Sequence, residues 1–132
     1  MNYDEDLGPI LISDWYHADA FSLYHEEVEG GPPVPDSNIM NGKGVYYCDP
    51  LLDPQCTGIQ PRHQLHFEGG KTYKLSIVNT AVDSQFTFWI DGHNFTIVQT
   101  DFVPIKPYTT DTMNIGIGML RPSRPWNRKL TM

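Results

Sequence analysis

The chain has 132 residues, which is enough for one hydrophobic core and too few for two. It contains 11 glycines and 11 prolines, a composition that indicates frequent turns and argues against long helices. The first 118 residues hold five basic and 16 acidic side chains, and an acidic body of this kind repels phosphate backbones, so no nucleic-acid partner is expected.

The first half of the chain predicts one strand and one short helix. Leu7–Trp15 predicts a buried strand, because its isoleucines and leucine lie between a Gly-Pro pair and a polar Ser-Asp pair. Ala18–Val28 has apolar side chains at helical spacing and is followed by Gly-Gly-Pro-Pro, which predicts a short helix. Weaker strand or turn candidates follow at Ser37–Gly42, Val45–Tyr47 and Gln64–Phe67.

The second half carries the clearest strand patterns. Side chains alternate with period two over Tyr73–Val78 and Phe86–Asp91, which predicts two half-buried antiparallel strands. An Asp-Gly pair separates the second of these from Phe95–Thr100, so those two segments are predicted to form a hairpin. Met113–Ile117 predicts a further strand.

The domain boundary is placed where these patterns stop. Residues 1–118 are predicted to form the single domain. Residues 119–132 contain four basic side chains and no acid, and show neither strand nor helix periodicity, so they are predicted to be an irregular, disordered tail.

The cysteines and a glycosylation motif bear on the cellular compartment. Cys48 and Cys56 flank a loop rich in Asp and Pro, which predicts a local disulfide, with two free thiols as the alternative. Such a bond persists only in an oxidising compartment. Asn94 begins an Asn-Phe-Thr sequon and agrees with secretion. Residues 1–6 do not form a signal peptide, and no apolar run approaches the roughly 20 residues of a membrane span.

No complete catalytic or metal-binding constellation is recognisable, so we predict no catalytic residue and no metal ligand. His63 and His66 are three residues apart, but no third ligand is suggested, and surface histidines in a loop explain them better. A blue-copper site would need a cysteine beside two histidines, whereas both cysteines are better used in a disulfide. A copper protein that relied on His63 and His66 would have to hold tight, stoichiometric copper, which we do not expect.

Several segments nevertheless match a known family in order along the chain. These segments are Tyr3–His17, Pro35–Gly42, Gly70–Asn79 and Ile90–His93. Over roughly Tyr3–Gly118, the chain resembles the second plastocyanin-like domain of fungal laccase-type multicopper oxidases.

The resemblance implies an all-β, cupredoxin-like Greek-key barrel or sandwich with one short helix. It implies an extracellular enzyme that oxidises phenolic substrates with copper and reduces dioxygen to water. In the family the copper ligands lie in the first and third cupredoxin domains, in His-x-His and His-Cys-His motifs that do not occur here. The second domain bridges those two domains and walls the substrate pocket. We therefore expect this chain to bind no copper and to have no activity alone.

One residue has an implied role. Asp36 matches an acidic position before the Asn-Gly turn that can face the phenol in related enzymes. A carboxylate there could accept the phenolic proton as the electron leaves. The alternative is that Asp36 caps the turn through its side chain.

After Gly118 the chain departs from the family, which continues with Gln-Arg-Tyr-Asp and a final strand. The resemblance therefore implies a fragment truncated at both ends, without its final strand, whose open edge favours aggregation and poor solubility. The second hypothesis for function is an independent secreted β-sandwich. It would bind a carbohydrate or a protein through loops that carry Trp15, Tyr46 and Tyr47.

Overall fold

The computed structural model describes residues 3–56, 58 and 60–125. Eight strands and one helix are found among them. In chain order they are β1 (Glu5–Trp15), α1 (Ala20–Gly30), β2 (Ser37–Met40), β3 (Tyr73–Asn79), β4 (Phe86–Trp89), β5 (Phe95–Thr100), β6 (Val103–Thr110), β7 (Thr112–Ile115) and β8 (Leu120–Pro125). The prediction of a β-protein with a single short helix is confirmed. No helix in the described ranges is long and apolar enough to cross a membrane.

The strands form two sheets. Six of them lie in the order β2-β1-β3-β8-β5-β6, and β4 pairs with β7 in a second, two-stranded sheet. β1 runs parallel to β3, and the other pairs are antiparallel. Across residues 3–125 as described, neither sheet closes on itself, so the arrangement is an open sandwich.

The core lies between the two sheets. β3 alternates buried and half-buried side chains along its whole length, as its period-two pattern predicts. Both sheets contribute fully or nearly fully buried residues, namely Ile10, Ile12, Leu75, Ile77, Phe95, Ile97, Met113 and Ile115. The rings of Phe88 and Phe95 are 5.6 Å apart and join the two layers. Burial of one continuous apolar cluster therefore holds the sheets together.

Helix α1 is well capped but is not packed. The Asp19 carboxylate accepts hydrogen bonds from the backbone N–H groups of Phe21 and Ser22, at 3.0 and 3.1 Å. No residue of α1 is buried. Its apolar side chains Phe21, Tyr24 and Val28 are 82%, 60% and 66% exposed. Local capping therefore defines this helix, and none of the described residues covers its apolar side.

The predicted hairpin between Phe86–Asp91 and Phe95–Thr100 is wrong. The turn itself is present, since His93 N donates to the Ile90 carbonyl at 3.0 Å and Gly92 has a φ of 70°. However, β4 pairs with β7, whereas β5 pairs with β6 and β8. An Asp-Gly turn fixes a local reversal and not the partner strand, and here it carries the chain from one sheet to the other. β3 likewise lies in a different sheet from β4 and runs parallel to β1.

Three further differences concern strands. Val45–Tyr47 and Gln64–Phe67 contain no strand, although the edge strand β2 is followed by the first of these segments. β6 was not predicted, because Pro104 and Pro107 interrupt its pattern. It tolerates them because it is the edge strand of the larger sheet.

The prediction that residues 119–132 are irregular, and that the final strand is missing, is wrong for residues 120–125. They form β8, which lies between β3 and β5. The backbone groups of two neighbouring strands would otherwise be left unpaired, and pairing them outweighs the poor local pattern. The open edge predicted at this position is therefore filled. Residues 126–132 of the predicted tail lie outside the described residues.

Candidate functional site

An open cavity of about 780 Å³ lies beside the end of β1. The end of β1, the strand β2, the turn after β2 and the disulfide loop form its walls. The lining includes Trp15, Tyr16, His17, Ser37, Ile39, Lys43, Tyr46, Asp53 and Gln55. Aromatic, cationic and carboxylate groups therefore meet in one recess.

The Asn-Gly turn fixes one wall of this cavity. Asn41 and Gly42 both have positive φ angles, 49° and 74°, as a tight turn between antiparallel strands requires. Asn41 N donates to the Leu11 carbonyl, and Leu11 N donates to Asn41 Oδ1, both at 2.8 Å. Asn41 Nδ2 donates to His63 Nε2 at 3.2 Å. The turn is thus tied to β1 and to the later loop at once.

Gly44 brings the wall close to β2. A Cβ atom on Gly44 would lie 2.7 Å from Ile39 Cγ2 and 2.8 Å from the Asn38 carbonyl oxygen. The Asn38 contact is with backbone, so a larger residue at position 44 would push the wall away from β2.

Asp36 immediately precedes β2 and does not itself line the cavity, although residues next to it do. Its Oδ2 accepts a hydrogen bond from the backbone N–H of His17 at 2.7 Å. This bond reaches His17 and not a residue of the Asn-Gly turn. The side chain is exposed, and within the described part of the chain Oδ1 has no hydrogen-bond partner. His17 and Ser37, the bonded partner and the next residue, both line the cavity. Asp36 is therefore oriented through one oxygen and presents the other.

The ring of His17 adds to this arrangement. It packs edge-on against Tyr46, with ring centroids 4.1 Å apart. The ring contact holds the loop after the turn against the end of β1, where Asp36 is also bonded.

The predicted disulfide is confirmed, since Cys48 and Cys56 are bonded with a Cα–Cα distance of 5.9 Å. The loop between them is also fixed locally. Asp49 Oδ1 accepts from Leu51 N at 2.8 Å, and Asp53 Oδ1 accepts from Gln55 N at 2.9 Å. Both cysteines line the cavity, so the disulfide closes the loop of residues 48–56 at the wall of the cavity.

We predict that the double variant Cys48→Ser/Cys56→Ser loses about 2.5 kcal/mol of unfolding free energy, the chain-entropy value for so short a loop. Urea unfolding measures this loss. Dithiothreitol should produce a similar loss in the parent chain and none in the double variant. Equal midpoints for parent and variant would contradict the prediction.

The histidines do not assemble. His63 bonds Asn41, and His93 Nδ1 lies 2.8 Å from the Asp91 carbonyl oxygen in its own turn. His17 packs on Tyr46, and the rings of His25 and Tyr24 are 5.7 Å apart on the helix. No group of three or more His, Cys, Asp or Glu residues in the described ranges could hold a metal ion. With both cysteines also oxidised, these residues do not fit a copper site.

Sequence reasoning missed the buried carboxylate Asp14, which is only 5% exposed. It accepts hydrogen bonds from the backbone N–H groups of Val82, Asp83 and Ser84, at 3.0, 3.0 and 3.1 Å. Burial alone would raise the pKa of Asp14, but these donors outweigh it and hold the pKa below the usual value. Because Asp14 precedes the cavity residue Trp15, it fixes the end of β1 against the loop after β3. Nothing in the local sequence marks it, since its partners lie some 68 residues away.

Two other predicted residues can be placed. Asn94 is exposed, just before the buried residue Phe95 that begins β5, so its side chain amide is accessible. Glycosylation there stays a prediction. Trp15 and Tyr46 both line the cavity, whereas Tyr47 is 75% exposed and does not line it.

The sequence matches the family model described as multicopper oxidase over residues 6–120. It is 52% identical over 118 residues to the dihydrogeodin oxidase of Aspergillus terreus, covering 89% of this chain and 20% of that protein. It is 42% identical over 117 residues to laccase-2 of Botryotinia fuckeliana, covering 89% and 20%. The chain therefore spans about a fifth of the length of the curated relatives it matches.

A similar result comes from solved structures. The crystal structure of the laccase from Botrytis aclada superposes with a TM-score of 0.91 at 37% identity, over 99% of this chain and 24% of that one. This match confirms the cupredoxin-like fold.

Proposed function

Because the chain belongs to the multicopper oxidase family, we propose that it forms the domain of a laccase-like enzyme that bridges the copper domains and walls the phenolic substrate pocket. The position and orientation of Asp36 are the observation that supports the proposal. Asp36 is an exposed carboxylate, aimed by the backbone of His17 and placed beside an open, aromatic-lined cavity. Family membership favours this function over an independent binding module.

Asp36 would act on the proton of the substrate. Removing one electron from a phenol makes its O–H far more acidic, so the proton must leave with the electron or directly after it. Asp36 Oδ1, which has no partner among residues 3–56, 58 and 60–125, would accept that proton, while Oδ2 stays bonded to His17 N and keeps the carboxylate in place. The copper that takes the electron would be held by other parts of a full-length enzyme, because the residues that the structure describes in this chain do not fit such a site.

The partners of this domain would be the first and third cupredoxin domains of the same enzyme. The uncovered side of α1 supports this, because Phe21, Tyr24 and Val28 present aromatic and aliphatic groups to solvent. A group of solvent-exposed apolar side chains is typical of a surface that contacts another domain.

We further propose that the enzyme is extracellular and glycosylated at Asn94. The Cys48–Cys56 bond supports an oxidising compartment, and the exposed position of Asn94 leaves room for a glycan.

A transplant tests the function. The segment of the Aspergillus terreus relative that aligns with residues 6–120 is replaced by those residues, and oxidation of a methoxyphenol is measured. We expect the transplant to retain at least about one two-hundredth of the activity of the unmodified relative, since a small change in pocket packing costs about 1 to 3 kcal/mol, roughly 10- to 200-fold in rate. A transplant that folds, carries copper and does not oxidise the phenol would contradict the proposal.

A further inference from the structure

We propose that the slot between β3 and β5, which β8 fills in this structure, accepts a proline-free extended strand from another polypeptide. The two strands that border the slot are well packed, because their residues Leu75, Ile77, Phe95 and Ile97 are fully buried. The strand inside it is not suited to that position. Three independent features of β8 support this.

The first feature is backbone chemistry. β8 is a central strand, paired with β3 through residues 120–123 and with β5 through residues 123–125. It contains Pro122 and Pro125, and neither has an N–H group to donate to a neighbouring strand. Prolines are found on edge strands and at bulges, and rarely at a central position. A proline-free strand would carry a backbone N–H at both positions.

The second feature is the register. Directly opposed residues of an antiparallel pair share one face of the sheet. Arg121 lies opposite Ile77, Ser123 opposite Leu75, and Pro125 opposite Phe95. These three partners are completely buried, so a strand in this register meets the core side of the sheet at every second position. A strand suited to the slot would carry apolar residues at all three positions.

The third feature is an unpaired polar atom. Arg121 Nε is buried, and the structure gives it no hydrogen-bond partner. A buried donor without a partner destabilises the arrangement that contains it. Replacing Arg121 by an apolar residue of an incoming strand removes this atom from the core.

The start of β8 would stay in place during such an exchange. Leu120 N donates to Asp101 Oδ1 at 2.8 Å, and Asp101 N donates to the Leu120 carbonyl at 2.9 Å. The exchange therefore concerns residues 121–125. The β8 segment of a second copy is not the occupant, because it brings the same prolines and the same arginine.

The occupant is thus an extended segment with apolar residues at alternate positions and no proline, which binds by strand addition. A suitable probe is the labelled synthetic peptide Lys-Thr-Val-Thr-Val-Thr-Val-Lys. The 132-residue chain is titrated with it and binding is followed by fluorescence anisotropy. We expect saturable one-to-one binding, at least tenfold tighter than that of the same peptide with prolines at two valine positions.

Two variants of the chain locate the binding site. Arg121→Val/Pro122→Thr/Pro125→Val repairs β8 and should weaken peptide binding at least tenfold, because the slot is then filled by a suitable strand. The matched control Pro104→Thr/Pro107→Val removes prolines from the edge strand β6 and should bind like the parent chain. Amide exchange in the parent chain should be faster at Arg121 and Ser123 than at Leu75 and Ile77.

Absence of saturable binding to the parent chain would overturn the proposal. So would equal binding to the parent and the repaired chain, because the peptide would then be adding to an open sheet edge. Tighter binding to the β6 control than to the parent would also place the peptide at that edge.

Discussion

Replacement of Asp14 by alanine is expected to lower the unfolding free energy by about 3 kcal/mol, because three backbone N–H groups of a partly buried loop lose their acceptor. Domains of this size have about 5 to 15 kcal/mol in total, so the variant should lose a substantial share of its stability. Urea denaturation measures the loss. Asp83→Ala is the matched control, because Asp83 lies in the loop that Asp14 binds and its own carboxylate is exposed. This change should lower the unfolding free energy by less than about 0.5 kcal/mol.

The same carboxylate predicts a pH dependence. The folded-state pKa of Asp14 lies below its usual value, so its contribution is complete above about pH 4 and is lost as the pH falls towards the folded pKa. The pKa of Asp6 is also lowered by hydrogen bonds from Lys74 and Gly8 N, and the pKa of Asp19 is lowered by hydrogen bonds from Ser22 and Phe21. Both carboxylates are exposed and contribute little. Asp14→Ala should therefore flatten most of the acid limb. An unchanged acid limb, or equal losses for Asp14→Ala and Asp83→Ala, would show that Asp14 is not the anchor of this loop.

The second large effect is expected in catalysis. In the transplanted enzyme, Asp36→Asn should slow oxidation of the methoxyphenol about 100-fold, because an amide cannot accept the phenolic proton. Ferrocyanide loses an electron and no proton, so its oxidation should be unchanged. Asp111→Asn, at an exposed carboxylate between β6 and β7, is the control and should leave both rates unaltered. Equal loss with both donors would assign Asp36 a structural role only.

Local sequence patterns predict the elements that depend on interactions between residues close together in the chain. The alternation of β3 gave its buried face, and the glycines after α1 ended the helix within two residues of the predicted position. The spacing of Cys48 and Cys56 predicted their bond. In each case the deciding interactions lie within a few residues of one another.

Long-range pairing decided the rest. The Asp-Gly turn was recognised, but only the shared core shows that β4 and β5 belong to different sheets. The sequence does not predict β8, because Arg-Pro-Ser-Arg-Pro contains two prolines and no alternation of apolar and polar side chains. The strands on either side determine its conformation. Asp14 was missed because its three donors come from a distant loop. Asp36 was singled out through a family resemblance, and its bond to His17 could not be read from the spacing.

A segment that supplies a copper-free domain to a larger oxidase should leave the copper sites of that enzyme intact. The copper content of the transplanted enzyme is therefore measured by metal analysis. Residues 6–120 bring no ligand set, so the transplant should hold the same number of copper ions per chain as the unmodified relative. A folded transplant with more copper, or with a copper ion lost, would mean that this segment does take part in binding the metal.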